Sequence, residues 1–179
     1  SLANAAITIT DPASLSDANA INLMTEGKVT LNSVADTYTN IQDIKKISDA
    51  QVDMGAAAVR VTNNITKSEV DDLLTDTNGK ITVDIITEDK SDLSTINDNT
   101  NVILSTANIT VEDNVSKAEA DVIDGYNTAG GTVTLTSITD TVSDVTAVNS
   151  NTNISLANAA ITITDPASLS DANAINLMT

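Results

Sequence analysis

The amino-acid sequence predicts an α/β protein: a right-handed solenoid of tandem repeats of about 51 residues, with parallel β-sheets and short helices along one side. Three observations lead to this prediction. Residues 1–25 recur as residues 155–179 without a substitution. Between these copies, short stretches of alternating apolar and polar residues return at steps of 52, 50 and 52 residues. A helix-start signature follows each stretch, so strands and helices alternate along the chain.

The first predicted strand of each unit has the pattern AITITD. It occurs at residues 6–11, returns as AVRVTN at 58–63 and NITVED at 108–113, and recurs unchanged at 160–165. Alternation places Ile7 and Ile9 on one face and Thr8 and Thr10 on the other. This pattern is typical of a sheet with one face buried and the other in solvent.

A helix start follows each first strand, marked by Ser or Thr with an acid three residues later. The hydroxyl accepts a hydrogen bond from a free backbone N–H, and the acid reaches back to the cap at the positive end of the helix dipole. We expect four such capping boxes: Ser14 with Asp17, Thr66 with Glu69, Ser116 with Glu119, and Ser168 with Asp171.

Three glycines, Gly27, Gly79 and Gly131, lie where the capped helices should stop. Because glycine adopts the left-handed conformation at little steric cost, we predict that they end these helices. A second alternating strand follows, in which Val29 and Leu31 are expected to be buried.

A second, shorter helix and a third strand complete each unit. The helical positions that recur every 52 residues are Val34, Asp36, Asn40, Ile41 and Ile44; Ile86, Glu88, Asp92, Leu93 and Ile96; and Ile138, Asp140, Asp144, Val145 and Val148. Their acids at Asp36, Glu88 and Asp140 are expected to cap backbone donors at the turn before this helix. The pairs Val52 with Met54, Val102 with Leu104, and Ile154 with Leu156 predict the third strand.

The predicted units are residues 1–57, 58–107 and 108–159, with 160–179 as the start of the next unit. A unit of this size does not easily close a core alone, whereas stacked units build a continuous one, and the crossovers should be right-handed. The alternative is a string of small α+β domains, although no Pro- or Gly-rich linker marks a boundary. The identical ends indicate either a window cut from a longer tandem array or an engineered overlap.

Composition limits the possible functions. The chain has 25 acidic and 8 basic residues, a net charge of -17, and no His, Cys, Trp or Phe. The excess of acidic residues argues against binding nucleic acid. Without Cys and His, the chain has no thiol, none of the usual zinc ligands, and no histidine to act as a general base. We therefore expect no enzyme activity, no catalytic or cofactor-binding residue and, since no apolar run approaches the length of a membrane span, no membrane insertion.

Two binding hypotheses remain open. Loops such as NDNTN at residues 97–101 and NSNTN at 149–153 offer many oxygens, so calcium is possible although its ligands are unknown; the same loops would also serve as simple turns. Pairs of threonines on the strands, such as Thr8 with Thr10, are similar to those of ice-binding proteins. Arg60 and Glu112 interrupt that ladder, which makes ice binding a remote alternative.

The stretch ITITDPASLSDANAINLMTEGKVTLNSVAD at residues 7–36 resembles the repeats of very long secreted or surface proteins of bacteria, including cyanobacteria. The likeness covers the whole chain, rests on repeat style and composition, and includes no catalytic motif. It departs from calcium-binding nonapeptide repeats, because Gly130 and Gly131 are followed by Thr132 and Val133 without the aspartates.

The resemblance implies an extracellular or cell-surface protein with a structural role as a fibre, sheath or surface layer. A calcium-dependent adhesin stalk or matrix-binding module is the alternative. We expect the partners to be copies of the chain itself: following repeats, chains stacked end to end, and lateral rods.

Overall fold

The computed structural model describes residues 2–47 and 51–179 and has the α/β class that the sequence predicts. The helices are α1 (Leu15–Asn22), α2 (Tyr38–Lys46), α3 (Lys67–Asp76), α4 (Lys90–Asp98), α5 (Lys117–Asp124), α6 (Val142–Asn149) and α7 (Leu169–Asn176). The strands are β1 (Ile7–Ile9), β2 (Val29–Leu31), β3 (Ser33–Asp36), β4 (Val52–Asp53), β5 (Ala58–Ile65), β6 (Ile81–Glu88), β7 (Val102–Ile103), β8 (Asn108–Val115), β9 (Val133–Asp140), β10 (Ile154–Ser155) and β11 (Ala160–Ile163).

The chain forms two compact units, one of residues 1–85 and 100–103 and the other of residues 86–99 and 104–179. In the first unit, β1, β2 and β4 form a parallel sheet in which Val29 lies opposite both Ile7 and Val52. Strand β3 pairs in parallel with β5, and β7 pairs with the start of β6.

In the second unit, the long strand β9 pairs in parallel with β8 on one edge and with two short strands on the other. Strand β10 lies beside the start of β9, where Ile154 is opposite Val133, and β11 lies beside its end, where Ile161 is opposite Ile138. The predicted short third strands are confirmed as β4, β7 and β10.

Each unit buries the inner face of its strands beneath helices. In the first unit α2 packs on β3 and β5, and in the second α5 and α6 pack on β9. Fully buried large side chains include Leu31, Ile41, Ile44, Ile65 and Leu73 in the first unit and Ile86, Leu93, Ile109, Ile123, Leu135 and Ile138 in the second. The predicted burial of Val29 and Leu31 is confirmed.

The second helix begins later than the sequence predicts. Val34, Ile86 and Ile138 belong to strands β3, β6 and β9, and the helices start at Tyr38, Lys90 and Val142. The helix start is misplaced because buried and exposed residues do not alternate strictly along the long strands. In β9, Val133 and Leu135 are buried, and the next buried residue is Ile138. The pairing of β8 with β9 shifts register between Val111 and Asn114, and such an irregularity moves the buried positions by one residue.

Within the part of the chain that the structure describes, no helix is long and apolar enough to cross a bilayer.

Candidate functional site

Reciprocal capping boxes close four helix starts, at the residues that the sequence singles out. At α1 the Ser14 backbone N–H donates to Asp17 Oδ2 at 2.9 Å, and the Asp17 N–H donates to Ser14 Oγ at 3.3 Å. The same arrangement joins Thr66 with Glu69, Ser116 with Glu119, and Ser168 with Asp171. The Ser14 hydroxyl and backbone bonds hold the pKa of Asp17 below its ordinary value.

The other three helices are capped by Thr37 at α2, Asp89 at α4 and Thr141 at α6. The predicted acids Asp36 and Asp140 lie one residue earlier, at the ends of β3 and β9. Each nevertheless accepts the N–H of the following cap: Thr37 donates to Asp36 at 2.8 Å and Thr141 donates to Asp140 at 2.9 Å.

These two aspartates also reach the start of the preceding helix. The first N–H of α1, on Leu15, donates to Asp36 Oδ2 at 3.0 Å, and that of α5, on Lys117, donates to Asp140 Oδ2 at 2.9 Å. Equivalent bonds run from Tyr38 to Asn63 Oδ1, from Lys90 to Asp113 Oδ1, and from Val142 to Asp165 Oδ1. Each acceptor lies 21 to 25 residues after its donor, so a later segment of chain completes the helix start.

The bonds change the acidity of both carboxyls. Burial raises the pKa of Asp36, but the bonds from Leu15, Asn40 and Thr37 outweigh it and leave the pKa below its ordinary value. The N–H groups of Lys117 and Thr141 lower the pKa of Asp140. Both carboxylates are therefore held in the charged form that accepts these bonds. The sequence pattern predicts the acids, whereas their second partner follows only from the strand register.

The glycines play a different role from the one predicted. Helices α1, α3 and α5 already end at the caps Leu23, Thr77 and Gly125. Positive φ angles occur at Ala3, Asn158 and Gly130, and Gly27, Gly79 and Gly131 are not among these residues. The left-handed helix ends predicted for these three glycines are therefore wrong.

Close backbone contact explains the three glycines instead. A Cβ atom on Gly27, Gly79 or Gly131 would overlap the carbonyl oxygen of Ala5, Ala57 or Ala107, respectively. Each of these alanines ends a tight turn, closed for example by Ala57 N–H donating to Met54 O at 2.9 Å. Only glycine lets the following strand lie this close to the turn.

A buried threonine secures the same contact. The Thr77 hydroxyl donates to Ala57 O at 2.6 Å and accepts from Gly79 N–H at 2.9 Å. Thr25 bonds in the same way to Ala5 O and Gly27 N–H, and Asn127 replaces it by accepting from Gly131 N–H at 2.8 Å. This role was not predicted, although the Thr-x-Gly pattern at residues 25–27 and 77–79 is its signal in the sequence.

Charged side chains on the strands and helices form pairs. Arg60, which interrupts the threonine ladder on the strands, binds Asp84 at 2.9 Å on the adjacent strand. Lys90 binds Glu119 at 2.9 Å beside a depression of about 410 Å³ between α4 and α5. The Tyr38 hydroxyl donates to Asp72 at 2.7 Å, which raises the pKa of Tyr38 to about 12.

In one of the asparagine-rich loops, at residues 149–153, the Asn151 side chain makes two hydrogen bonds. Asn151 donates from its amide to Asp124 at 2.9 Å, and its Oδ1 accepts from Asn153 N–H at 2.9 Å. Over residues 2–47 and 51–179, no group of three or more Asp or Glu side chains converges so as to hold a metal ion. The calcium hypothesis stays a prediction.

The two identical copies at residues 1–25 and 155–179 have different surroundings. Near the start of the segment, Leu2 is 51% exposed, whereas its counterpart Leu156 is 2% exposed. Near the end of the segment, the first copy is buried and the second is exposed. Ala13, Ala18 and Thr25 are buried, whereas their counterparts Ala167, Ala172 and Thr179 are exposed.

The exposed copy borders an open depression of about 360 Å³. Its lining includes Ala159, Ile161, Ile163, Ala167, Ala172 and Ile175. The depression therefore marks the side of the segment that residues after Thr25 cover in the first copy.

Comparison with protein-family models, curated proteins and solved structures finds no match. The resemblance to bacterial surface repeats therefore stays a prediction from the sequence.

Two parts of this geometry recur along the chain. One is a helix start that takes an acceptor from a later segment, and the other is a glycine that fits against an alanine turn.

Proposed function

We propose that the chain is a structural segment of a long tandem-repeat extracellular protein, whose successive strand–helix units stack as a right-handed solenoid. One observation carries the proposal. The first N–H of a helix is bound by a side chain 21 or 23 residues later, at Leu15 and Asp36 and again at Lys117 and Asp140. Each of these helices thus depends on the strand that follows it, as expected where successive strand–helix segments stack.

Stacking gives the proposed mechanical role. Each added parallel strand extends the array by about 4.8 Å across the sheet and repeats the same backbone bonds, whatever the number of units. Helical crossovers between parallel strands are right-handed in nearly all known proteins, which supports the proposed hand. Length and stiffness then follow from the number of repeats.

The surface composition supports an extracellular fibre, sheath or surface layer. A net charge of -17 keeps neighbouring rods apart at low salt, and divalent cations would draw them together by screening and bridging. The absence of Cys frees the fold from any dependence on the redox state of its compartment.

Small-angle scattering from chains carrying one, two and three copies of the 154-residue period tests the stacking. The maximum dimension should rise linearly while the cross-section stays constant, and the unfolding midpoint should rise with copy number. A cross-section that grows with copy number, or scattering typical of independently folded domains joined by flexible linkers, would contradict the solenoid.

Location is tested separately with antibodies raised against the folded chain. Intact producing cells should be labelled along filaments or across a continuous layer in electron micrographs. Labelling that appears only after the cells are lysed would overturn the extracellular role.

A further inference from the structure

We propose that Asn78 is a site of spontaneous deamidation, controlled by the hydrogen bond between the Thr77 hydroxyl and the Gly79 N–H. While this bond is made, Asn78 persists as asparagine. When the bond opens, Asn78 converts to aspartate or isoaspartate. The reaction involves residues of the first compact unit alone and is independent of the proposed extracellular role.

The sequence around Asn78 is suited to this reaction. Asparagine is among the thermally labile residues, and Asn78 is the one asparagine of the chain that a glycine follows. Because glycine has no Cβ, its nitrogen approaches the preceding side chain with the least steric hindrance. The residues before Gly27 and Gly131 are Glu26 and Gly130. These two other close glycine contacts therefore carry no reactive amide.

The reaction needs water and no other reactant. The Gly79 backbone nitrogen loses its proton and attacks the Asn78 Cγ, which forms a cyclic succinimide and releases the side-chain nitrogen as ammonia. Water then opens the ring. Breaking the new N–Cγ bond gives aspartate, whereas breaking the bond from this nitrogen to the Asn78 main-chain carbonyl carbon gives isoaspartate. The steps together exchange ammonia for water, and nothing is oxidised or reduced.

The folded chain holds the attacking nitrogen in an unreactive state. The Gly79 N–H donates to Thr77 Oγ1 at 2.9 Å. Donation to an acceptor favours the protonated nitrogen and fixes the direction of its N–H. Attack requires instead that the nitrogen lose its proton and come within about 3–3.5 Å of the Asn78 Cγ along the line of the new bond. The Thr77 hydroxyl therefore opposes both requirements.

Neighbouring bonds restrict the rotation that attack would need. The Asn78 N–H donates to Gly55 O at 2.9 Å, and the Thr77 hydroxyl donates to Ala57 O at 2.6 Å. The Thr77 side chain is only 4% exposed, whereas Asn78 is exposed to solvent. Water thus reaches the site freely, and the step that the fold controls is the local opening of this contact.

The isoaspartate product does not fit the closed contact. Its main chain runs through Cβ and Cγ, which lengthens the backbone between the bond to Gly55 and the bond to Thr77. A Cβ on Gly79 would already lie 2.0 Å from the Ala57 carbonyl oxygen, so the strand has no space to shift toward the turn. Formation of isoaspartate therefore leaves a permanent record of an opening.

The first test compares the folded and unfolded native chain. The full chain is incubated in mildly alkaline buffer with and without enough guanidinium chloride to unfold it. Peptide mass spectrometry follows the mass gain at Asn78, and electron-transfer fragmentation distinguishes aspartate from isoaspartate. The folded chain should react about tenfold more slowly or less, because only its open fraction reacts.

Variants of Thr77 test the role of the hydroxyl. Thr77→Val removes the acceptor for the Gly79 N–H and should raise the rate at Asn78 about tenfold. Thr77→Ser keeps the hydroxyl and should react at the native rate. Thr62→Val, on the exposed face of β5, is the matched control. Circular dichroism in the incubation buffer checks that each variant is folded.

Hydrogen exchange of the Gly79 N–H reports the same opening in the native chain and needs no variant. At guanidinium concentrations below the unfolding transition, the exchange rate of Gly79 and the deamidation rate of Asn78 should rise in parallel. This measurement decides the matter even where Thr77→Val does not fold.

Asn78→Asp is the matched control for the effect of the product. It carries the new charge without the extra main-chain carbon. The isoaspartyl chain, separated by ion exchange, should unfold at a lower urea concentration than Asn78→Asp. Equal midpoints would show that the closed contact accommodates the longer backbone.

Three results would overturn the control of deamidation by Thr77. One is an equal rate at Asn78 in the folded and unfolded chain. The second is a folded Thr77→Val chain that reacts no faster than Thr77→Ser. The third is a deamidation rate that stays constant while the exchange of Gly79 rises.

Discussion

Leu15 begins helix α1 and donates its backbone N–H to Asp36, which ends a strand 21 residues later, at 3.0 Å. Lys117 and Asp140 repeat the relationship in the second compact unit at 2.9 Å. One carboxylate thus satisfies donors on two helices, since Asp140 also accepts from Thr141 N–H. The stability of a helix start should therefore respond to a change made on a later strand.

Removing one shared carboxylate tests this coupling. Asp140→Ala should lower the free energy of unfolding by about 1–2 kcal/mol, because it leaves helix N-terminal donors without their acceptor. Asp140→Asn should cost less, since an amide oxygen still accepts a bond. Urea unfolding measures both, with Glu112→Gln on the exposed face of β8 as the matched control. Equal midpoints for Asp140→Ala and the control would show that the carboxylate contributes nothing.

The pH dependence of stability follows from the same bonds. Asp36 and Asp140 have pKa values below their ordinary 3.8 in the folded chain, so the unfolded chain binds protons more readily. Their contribution is fully present above the ordinary value and is lost as the pH falls through it toward the lower folded value.

Thermal midpoints measured from pH 7 to pH 3 in about 0.5 M NaCl, which screens the general acidic repulsion, check this direction. The native chain should lose stability below about pH 4, and the double variant Asp36→Asn with Asp140→Asn should lose less over the same interval. Parallel curves for the two chains would assign the acid sensitivity to other groups, such as Asp17 and Glu119.

Much of the fold could be predicted from the sequence because its signals are local. A hydroxyl with an acid three residues later is sufficient to place a capping box, as at Ser116 and Glu119. The second partner of Asp140 could not be found in this way, because it depends on which strand lies beside which. The start of the second helix was misplaced for a related reason: Ile138 fits a helical period by sequence, although it is a strand residue after a shift in register.

The glycine prediction identified the right residues and gave the wrong cause. A left-handed turn and a close backbone approach both select glycine, and one sequence cannot distinguish them. Substitution of Gly79 separates the two causes. Gly79→Ala and Gly79→Asn should both destabilise the chain by about 3 kcal/mol, since any Cβ overlaps the turn at Ala57.

A left-handed position would instead tolerate Asn better than Ala. Gly55→Ala is the matched control, because a Cβ there meets only the Asp53 side chain, at 3.2 Å. Urea midpoints of the three variants decide the matter, and a milder effect of Asn than of Ala at Gly79 would restore the original interpretation.

Calcium and magnesium should affect the chain alike. The Asn151 side chain in one asparagine-rich loop already bonds to Asp124 and to Asn153 N–H, so we expect general screening of acidic charge and no selective site. Thermal midpoints in equal concentrations of CaCl₂ and MgCl₂ should agree. A rise with calcium alone would favour the calcium-dependent adhesin or matrix module.

The Thr77 hydroxyl links the two backbones that meet at Gly79, and the side chain is only 4% exposed. Thr77→Val keeps the size and leaves the Ala57 carbonyl and the Gly79 N–H without this partner, which should cost about 2 kcal/mol. Thr77→Ser keeps both bonds and should retain most of the stability. Thr62→Val, on the exposed face of β5, controls for the change of side chain. Urea unfolding that ranks Thr77→Ser no more stable than Thr77→Val would show that packing of the methyl group, and not the hydroxyl, accounts for this threonine.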